Sequence, residues 1–449
     1  MKTVYLIPFL FLLLLLQTCG TDCKSQSDST LIDNYGKKCY AGGDPSLVGS
    51  GAGDSGGGSG VFGASTTYAT GTNPASVYAT DLNGDGHADL LSADYGSNQI
   101  TVRFNDGNGA FGARTTYATG SNPRSVYAID LDGDGDNDLL SADSGSNQMT
   151  VRFNDGNGAF GAGTTYATGT TPYSVYAIDL DGDGDNDLLS ADYGSDQISV
   201  RFNDGNGIFG APTTYATGTN PASVYAIDLD GDSNNDLLSV DRASNQITVR
   251  LNNGDGTFSV RNPFSVGLSP YSFYATDLDG DGNNDLLSAD LGSDQVSVLF
   301  NNGSGVFSAS TTYATGDKPV SVYATDLNGD GDNDLLSADS GSNQMTVRFN
   351  DGNGAFGAGT TYATGTTPYS VYAIDLDGDG DNDLLSADYG SDQISVRFND
   401  GNGIFGAPTT YATGTNPASV YAIDLDGDGD NDLLSADYGS DQISVRFNQ

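Results

Sequence analysis

Hydrophobic and polar positions alternate along most of this chain, and no window beyond the first 18 residues carries a helical period. Ser125-Val126-Tyr127-Ala128-Ile129 alternates and predicts one strand, and Leu139-Leu140-Ser141-Ala142 predicts a second. Met149-Thr150-Val151-Arg152-Phe153 predicts a third, and residues 160–167 a fourth. Turn chemistry separates them: an aspartate loop, then Ser144-Gly145-Ser146-Asn147, then Asn154-Asp155-Gly156-Asn157-Gly158. The whole set recurs. Asp-Leu-Asx-Gly-Asp begins at Asp81, Asp130, Asp179, Asp228, Asp277, Asp326, Asp375 and Asp424, each 49 residues after the last.

A period of this length holding four antiparallel strands is one propeller blade. The expected fold is therefore all-β, a β-propeller of four-stranded antiparallel blades. Eight blades fit the eight copies, and seven with a spare copy is the alternative. The last copy stops at Gln449 after its third strand, while residues 62–70 match the missing fourth. An N-terminal strand completing the last blade would close the ring and remove two open sheet edges. Residues 133–232 and 329–428 are identical at an offset of four copies, the mark of a recent duplication.

The chain ends read differently. Residues 1–18 have the form of an export signal, with Lys2 before an apolar run at 4–16 that is too short to span a bilayer. Leu16-Gln17-Thr18-Cys19 resembles a bacterial lipobox, which would put a lipid on Cys19; ordinary cleavage is the alternative. A lipidated Cys19 would leave Cys23 and Cys39 to pair. Residues 19–60 read as a tether, rich in glycine and serine from residue 42, ahead of the repeats at 61–449. An extracellular or outer-surface location is expected.

Charge narrows the chemistry. The net charge is −43, and all 59 acidic residues are aspartate. Aspartate alone suggests short carboxylates held in tight turns to meet a hard cation. Nucleic acid is not expected as a partner, since nothing forms the basic patch that phosphate binding needs. Membrane contact would come only through the anchor, and a monomer is expected.

The second loop reads Asp130-Leu131-Asp132-Gly133-Asp134-Gly135-Asp136-Asn137-Asp138. Positions 1, 3, 5 and 9 offer carboxylates, position 7 its carbonyl, and Gly135 allows the bend between them. Calcium takes about six to eight oxygens, and clustered carboxylates without a cation would repel, so metal binding and folding should be coupled. The metal-site candidates are then Asp81, Asn83, Asp85, His87 and Asp89 in the first loop and Asp130, Asp132, Asp134, Asp136 and Asp138 in the second. The third and fourth offer Asp179, Asp181, Asp183, Asp185 and Asp187, then Asp228, Asp230, Asp232, Asn234 and Asp236. The fifth and sixth offer Asp277, Asp279, Asp281, Asn283 and Asp285, then Asp326, Asn328, Asp330, Asp332 and Asp334. The last two offer Asp375, Asp377, Asp379, Asp381 and Asp383, then Asp424, Asp426, Asp428, Asp430 and Asp432. Ser233 stands where the other loops have glycine, so the fourth site should be weakest.

Position 12 is Ser92 or Ser141 rather than the glutamate of an EF-hand, and the flanks are strands. The Asp-x-Asx-Gly-Asp-Gly-x-x-Asp-Leu loop, strands such as Ile198-Ser199-Val200-Arg201-Phe202-Asn203, and the turn Gly156-Asn157-Gly158-Ala159-Phe160 together resemble the FG-GAP/VCBS repeats. Those are calcium-binding propeller blades related to the integrin α-subunit head. The resemblance covers about residues 61–449. It implies one structural calcium per blade, about eight in all, in the hairpin between the two inner strands.

Catalysis is poorly supplied, with one histidine, no glutamate and cysteines only before the repeats. Recognition of a glycan or a protein fits better; a polysaccharide-acting enzyme, or a surface protein with no dedicated ligand, is the alternative. Differences between copies gather on the face opposite the loops, at the fifteenth position from each loop's first aspartate and at the residue after the turn proline. Tyr95, Arg124, Tyr173, Tyr193, Arg242, Tyr271, Tyr369, Tyr389 and Tyr438 are the candidate ligand residues there. Free drift of surface positions would produce the same variation, and Tyr78 with its equivalents reads as packing between blades.

Overall fold

The computed structural model describes residues 58–259 and 263–449, with a two-stranded ribbon of Leu31–Ile32 against Lys38–Cys39. The leader, Cys19, Cys23 and most of the 19–60 segment lie outside the described residues. No described helix is long and apolar enough to cross a membrane.

Eight sheets follow, each of four antiparallel strands. In the second blade they are Pro123–Ile129, Asp138–Asp143, Gln148–Arg152 and Thr164–Ala167, in that order across the sheet. First strands of neighbouring blades pack on one another and so line the axis. The second strand, Asp-Leu-Leu-Ser-Ala-Asp, is buried along its whole length because blades cover both of its faces, which explains its lack of alternation. A register shift at Arg124 lifts the start of the first strand out of the ladder.

The ring closes as the chain ends suggested. Thr66–Ala69 pairs with Gln442–Arg446, running from Thr66 opposite Val445 to Ala69 opposite Gln442. All eight copies are used as blades, and none is spare.

Three contacts repeat at the seams. Asn154 Nδ2 donates to Leu82 O of the preceding loop at 2.8 Å and to Asn137 O of its own loop at 2.9 Å. All eight blades reach back in this way, and the bond from Asn105 to Leu425 O, 2.6 Å, completes the circle. Further out, Arg152 donates to Ala118 O of the preceding outer strand and to Gly161 O of its own blade, with its guanidinium 5.6 Å from the Tyr117 ring. Tyr166 meets Phe209 of the next blade edge-on at 5.2 Å. Near the axis, Tyr127, Tyr176 and Tyr225 follow one another at 5.4 and 5.0 Å between ring centroids. Those tyrosines are packing residues, as expected.

Replacing Asn154 with alanine strands two carbonyls, Leu82 O and Asn137 O, in the interior of a seam. The expected cost is about 2–3 kcal/mol, read as a lower urea midpoint; an unchanged midpoint would show that the seam does not depend on this amide.

Candidate functional site

Each aspartate loop joins the first strand of a blade to the second, and its own amides shape it. Asp130 Oδ1 accepts from Gly133 N at 2.8 Å and Oδ2 from Gly135 N at 2.9 Å, which curls the loop around the first carboxylate. Gly135 takes a φ of 94° at that bend. Ser233 adopts the same left-handed conformation, φ 71°, and its amide still donates to Asp228 Oδ2 at 2.9 Å. A Cβ at the equivalent glycines would meet nothing within 4 Å, so the cost at Ser233 is conformational and not steric.

Position 9 anchors the loop from below. Asp138 is fully buried; its Oδ2 accepts from Leu131 N at 2.8 Å and its Oδ1 from Asn154 N at 2.7 Å. Burial pushes its carboxyl up to about 7, against the pull of those two amides and with added repulsion from Asp132 and Asp130. Asp89, Asp187, Asp236, Asp285, Asp334 and Asp383 are likewise raised to about 7 and Asp432 to about 8, with burial the largest cause each time.

Carboxylates at positions 1, 3 and 9 converge. Ligand oxygens of Asp130, Asp132 and Asp138 lie within 4.8 Å of one another, as do those of 179/181/187, 228/230/236, 277/279/285 and 375/377/383. At position 3 one oxygen is left over. Oδ1 of Asp132, Asp181, Asp230, Asp377 and Asp426 is buried with no hydrogen-bond partner. A buried carboxylate oxygen without a donor, facing two more carboxylates, fits a cation. Asn83 and Asn328 ease the repulsion in their loops, each turning Oδ1 to the amide two residues on, at 3.0 Å.

Positions 5 and 7 are placed differently. The position-5 carboxylates of Asp85, Asp134, Asp183, Asp232, Asp281, Asp330, Asp379 and Asp428 are exposed, and Asp134 Oδ1 accepts from Asp136 N at 3.0 Å. At position 7, His87, Asp136, Asp185, Asn234, Asn283, Asp332 and Asp381 lean over the Asx-Gly turn of their own blade. A Cβ added to Gly156 would come within 2.5 Å of Asp136 Oδ2. Asp430 lies in the same way against Gly58. No position-7 side chain belongs to the three-carboxylate groups named above; only the carbonyl there can turn inward.

A second buried aspartate per blade escaped the sequence reading. Asp143 accepts from Ser141 Oγ at 2.9 Å, Gly120 N at 2.9 Å and Thr150 Oγ1 at 2.5 Å. It joins the second and third strands to the approach of the first, and burial raises its carboxyl. The signal was present: an aspartate recurring at the end of an apolar strand, with Ser two residues before it and Gln-x-Thr/Ser after it.

On the opposite face the candidate ligand residues do come together, largely by packing on one another. Arg124 is buried, 4.2 Å over the Tyr173 ring and 5.0 Å from Tyr95, with Nε donating to Ser144 Oγ. Tyr173 stacks on Tyr193 at 4.1 Å, nearly parallel. Arg242 lies 5.0 Å from the Tyr271 ring, and Tyr271 and Tyr369 share a hydrogen bond of 2.6 Å between hydroxyls. Tyr369 packs on Tyr389 at 5.5 Å. Tyr438 feels the charge of Arg124 and the neighbouring phenols of Tyr389 and Tyr95. Tyr95, Tyr193, Arg242, Tyr369, Tyr389 and Tyr438 keep part of their surface open, whereas Tyr173 and Tyr271 are buried.

The FG-GAP-like repeat matches this chain seven times, over residues 81–141, 130–190, 179–239, 228–288, 277–337, 326–386 and 375–435. Each match runs from one aspartate loop through the next. The chain belongs to the FG-GAP-like repeat family. Seven overlapping pairs cover all eight loops, so the repeat count and the blade count agree. No curated protein matches it. Among solved structures, an Agrocybe aegerita lectin described as recognising non-reducing terminal N-acetylglucosamine is 19% identical, covering 81% of this chain and 100% of its own, with a TM-score of 0.47. A virginiamycin B lyase from Staphylococcus aureus is 14% identical over 73% of this chain and 95% of its own, TM-score 0.46. A putative 6-phosphogluconolactonase from Bacteroides fragilis is 16% identical over 67% and 86%, TM-score 0.49.

Two outcomes are expected of this FG-GAP-like ring. Ser233→Gly should stabilise the fourth blade by about 1 kcal/mol; no rise in the urea midpoint would sink the argument from backbone strain. The second concerns pH. A carboxyl whose folded value is raised contributes stability below its unfolded value, and loses it as pH climbs through the folded one. With eight such groups at about 7 to 8, the chelated protein should melt lower at alkaline than at mildly acidic pH. A chelated melting temperature that rises over that range contradicts the buried-carboxyl account.

Proposed function

We propose that this chain is an exported, calcium-stabilised propeller that acts as a recognition or adhesion module, not as an enzyme. The buried, unpartnered Oδ1 at position 3 carries the metal part of the reading. Positions 1, 3, 5 and 9 would hold the ion through carboxylate or amide oxygens, with the position-7 carbonyl completing them. An all-oxygen set with no thiolate suits calcium better than zinc or copper. The bound ion would neutralise carboxylates that otherwise titrate near neutrality, and so would lock each loop against its seam.

The recognition part rests on the opposite face, where tyrosine and arginine give way to serine, leucine, alanine or valine from blade to blade, while the loops exchange mostly one oxygen donor for another. The ligand would be a glycan or a protein held by part-exposed aromatic faces. Export through residues 1–18, and display on the 19–60 tether with or without a lipid on Cys19, would place the ring outside the cell.

Metal analysis of the purified chain should find about eight calcium ions, one for each loop, and chelation at neutral pH should lower the melting temperature sharply. A metal-free chain that melts at the same temperature with and without calcium rules the calcium reading out. Glycan-array and pull-down binding that is lost in Tyr193→Ala or Tyr389→Ala would support recognition on this face; binding unaffected by both would move the site elsewhere.

A further inference from the structure

Most turns between third and fourth strands use up their own side-chain amides. In the second blade Asp155 Oδ1 accepts from Asn157 N at 3.0 Å, and Asn157 Nδ2 donates back to Asp155 O at 3.2 Å. Asn108, Asn206, Asn353 and Asn402 do the same in their blades. In the fourth blade Asn253 Nδ2 donates to Thr257 O and Thr257 Oγ1, both at 2.9 Å. The fifth blade departs from this. Between Gln295–Leu299 and Thr311–Ala314 it carries Asn301-Asn302-Gly303-Ser304-Gly305. Asn302 stands where Asp106, Asp155, Asp204, Asp351 and Asp400 stand elsewhere, and Ser304 replaces the asparagine two residues on.

That exchange leaves a carboxamide nitrogen open. Ser304 N donates to Asn302 Oδ1 at 3.1 Å, and among the described residues nothing accepts from Asn302 Nδ2. Asn302 and Ser304 are both exposed. Asn302-Gly303-Ser304 is also the one Asn-x-Ser/Thr sequence with x other than proline in the 449 residues, which is the acceptor form for N-linked oligosaccharide. The corner is short of charge as well. Asn283 leans over Gly303 as Asp136 leans over Gly156, so neither of the two carboxylates that the second blade brings to its turn, Asp136 and Asp155, has a counterpart here. In a chain of net charge −43, an anionic sugar donor is repelled less at this turn than at that of the second blade.

We propose that Asn302 is the acceptor for one N-linked oligosaccharide, transferred from a lipid-pyrophosphate donor as the chain is exported. This rests on the export reading. In the transfer Asn302 Nδ2 bonds to the anomeric carbon of the first sugar and gives up one proton. The bond from that carbon to the pyrophosphate oxygen breaks, and its electron pair leaves with the lipid pyrophosphate. No oxidant or reductant is needed. The turn sits against the aspartate loop of its own blade, with Asn283 over Gly303. The oligosaccharide therefore stands on the loop face, a bulky polar group that leaves the tyrosine and arginine face clear.

The test is expression of the full chain in a eukaryotic secretory host, once with its own leader and once with a proven leader in place of residues 1–18. Intact mass is read before and after peptide N-glycosidase, and peptide mapping locates the change. The secreted chain should carry one oligosaccharide, and the enzyme should remove it and leave aspartate at 302. Ser304→Ala, which keeps the amide that donates to Asn302 Oδ1, should lose the modification with no shift in melting temperature; Asn302→Gln should lose it too, and Ser304→Thr should retain it. Modification with the proven leader but retention in the cytosol with the native one overturns the export reading and upholds the acceptor. A folded chain secreted on the proven leader with Asn302 unmodified overturns the acceptor assignment. Modification that persists in Ser304→Ala overturns it as well, since the three-residue sequence would then not direct the transfer.

Discussion

One buried carboxylate per blade holds this ring together. Asp138 accepts the amide of Leu131 inside its own loop and the amide of Asn154 at the end of the third strand. Asn154 then spends its side chain on Leu82 O in the blade before. Loop, hairpin and seam are thus tied through a single residue, eight times around. An alanine there would free two amides inside the protein and release the asparagine that closes the seam. Few single side chains link so many elements, and the position recurs without exception from Asp89 to Asp432.

The arrangement carries its own strain. Burial drives these carboxyls towards neutrality, and the two carboxylates beside each one add repulsion. Two solutions exist, a proton or a cation. A proton leaves the position-3 oxygen unpartnered, whereas a divalent ion would use it together with its neighbours. A cation bound there would make metal loading, seam strength and pH one coupled equilibrium. Open repeat arrays fray from their ends. Closure by Thr66–Ala69 removes the ends, so a strained loop such as that of Ser233 is supported from both sides.

Local elements were legible in the sequence, and relations across the ring were not. Strands, loops and the returning N-terminal strand follow from alternation, turn residues and a fixed period, all of which act over short distances. The position-14 aspartates, such as Asp143, were overlooked because their partners come from three separate segments. Position 5 looked equivalent to 1 and 3 as an oxygen donor, yet its carboxylate is exposed at the outer side of the group. Position 7, read as a carbonyl donor, lays its side chain over the Asx-Gly turn of its own blade. The variable tyrosines and arginines read as open surface anchors, yet Arg124, Tyr173 and Tyr271 fill the mouth of the ring.

In one duplicated pair of blades a large residue at that mouth follows or precedes a small one: Ser144 precedes Tyr173 and Tyr193 precedes Ala222, and the identical copies Ser340, Tyr369, Tyr389 and Ala418 repeat both pairings. The seam between blades four and five shows the same coupling further out. There Phe264 replaces the outer-strand tyrosine and Leu299 replaces the arginine that elsewhere lies over it. Losing the phenol and the cation together leaves an apolar contact in place of a cation–π pair, with Phe264 edge-on to Phe307 at 5.1 Å. Paired changes of this kind keep the volume filled. Arg242 before Tyr271 sets two large side chains together instead, and they meet as a cation–π pair at 5.0 Å.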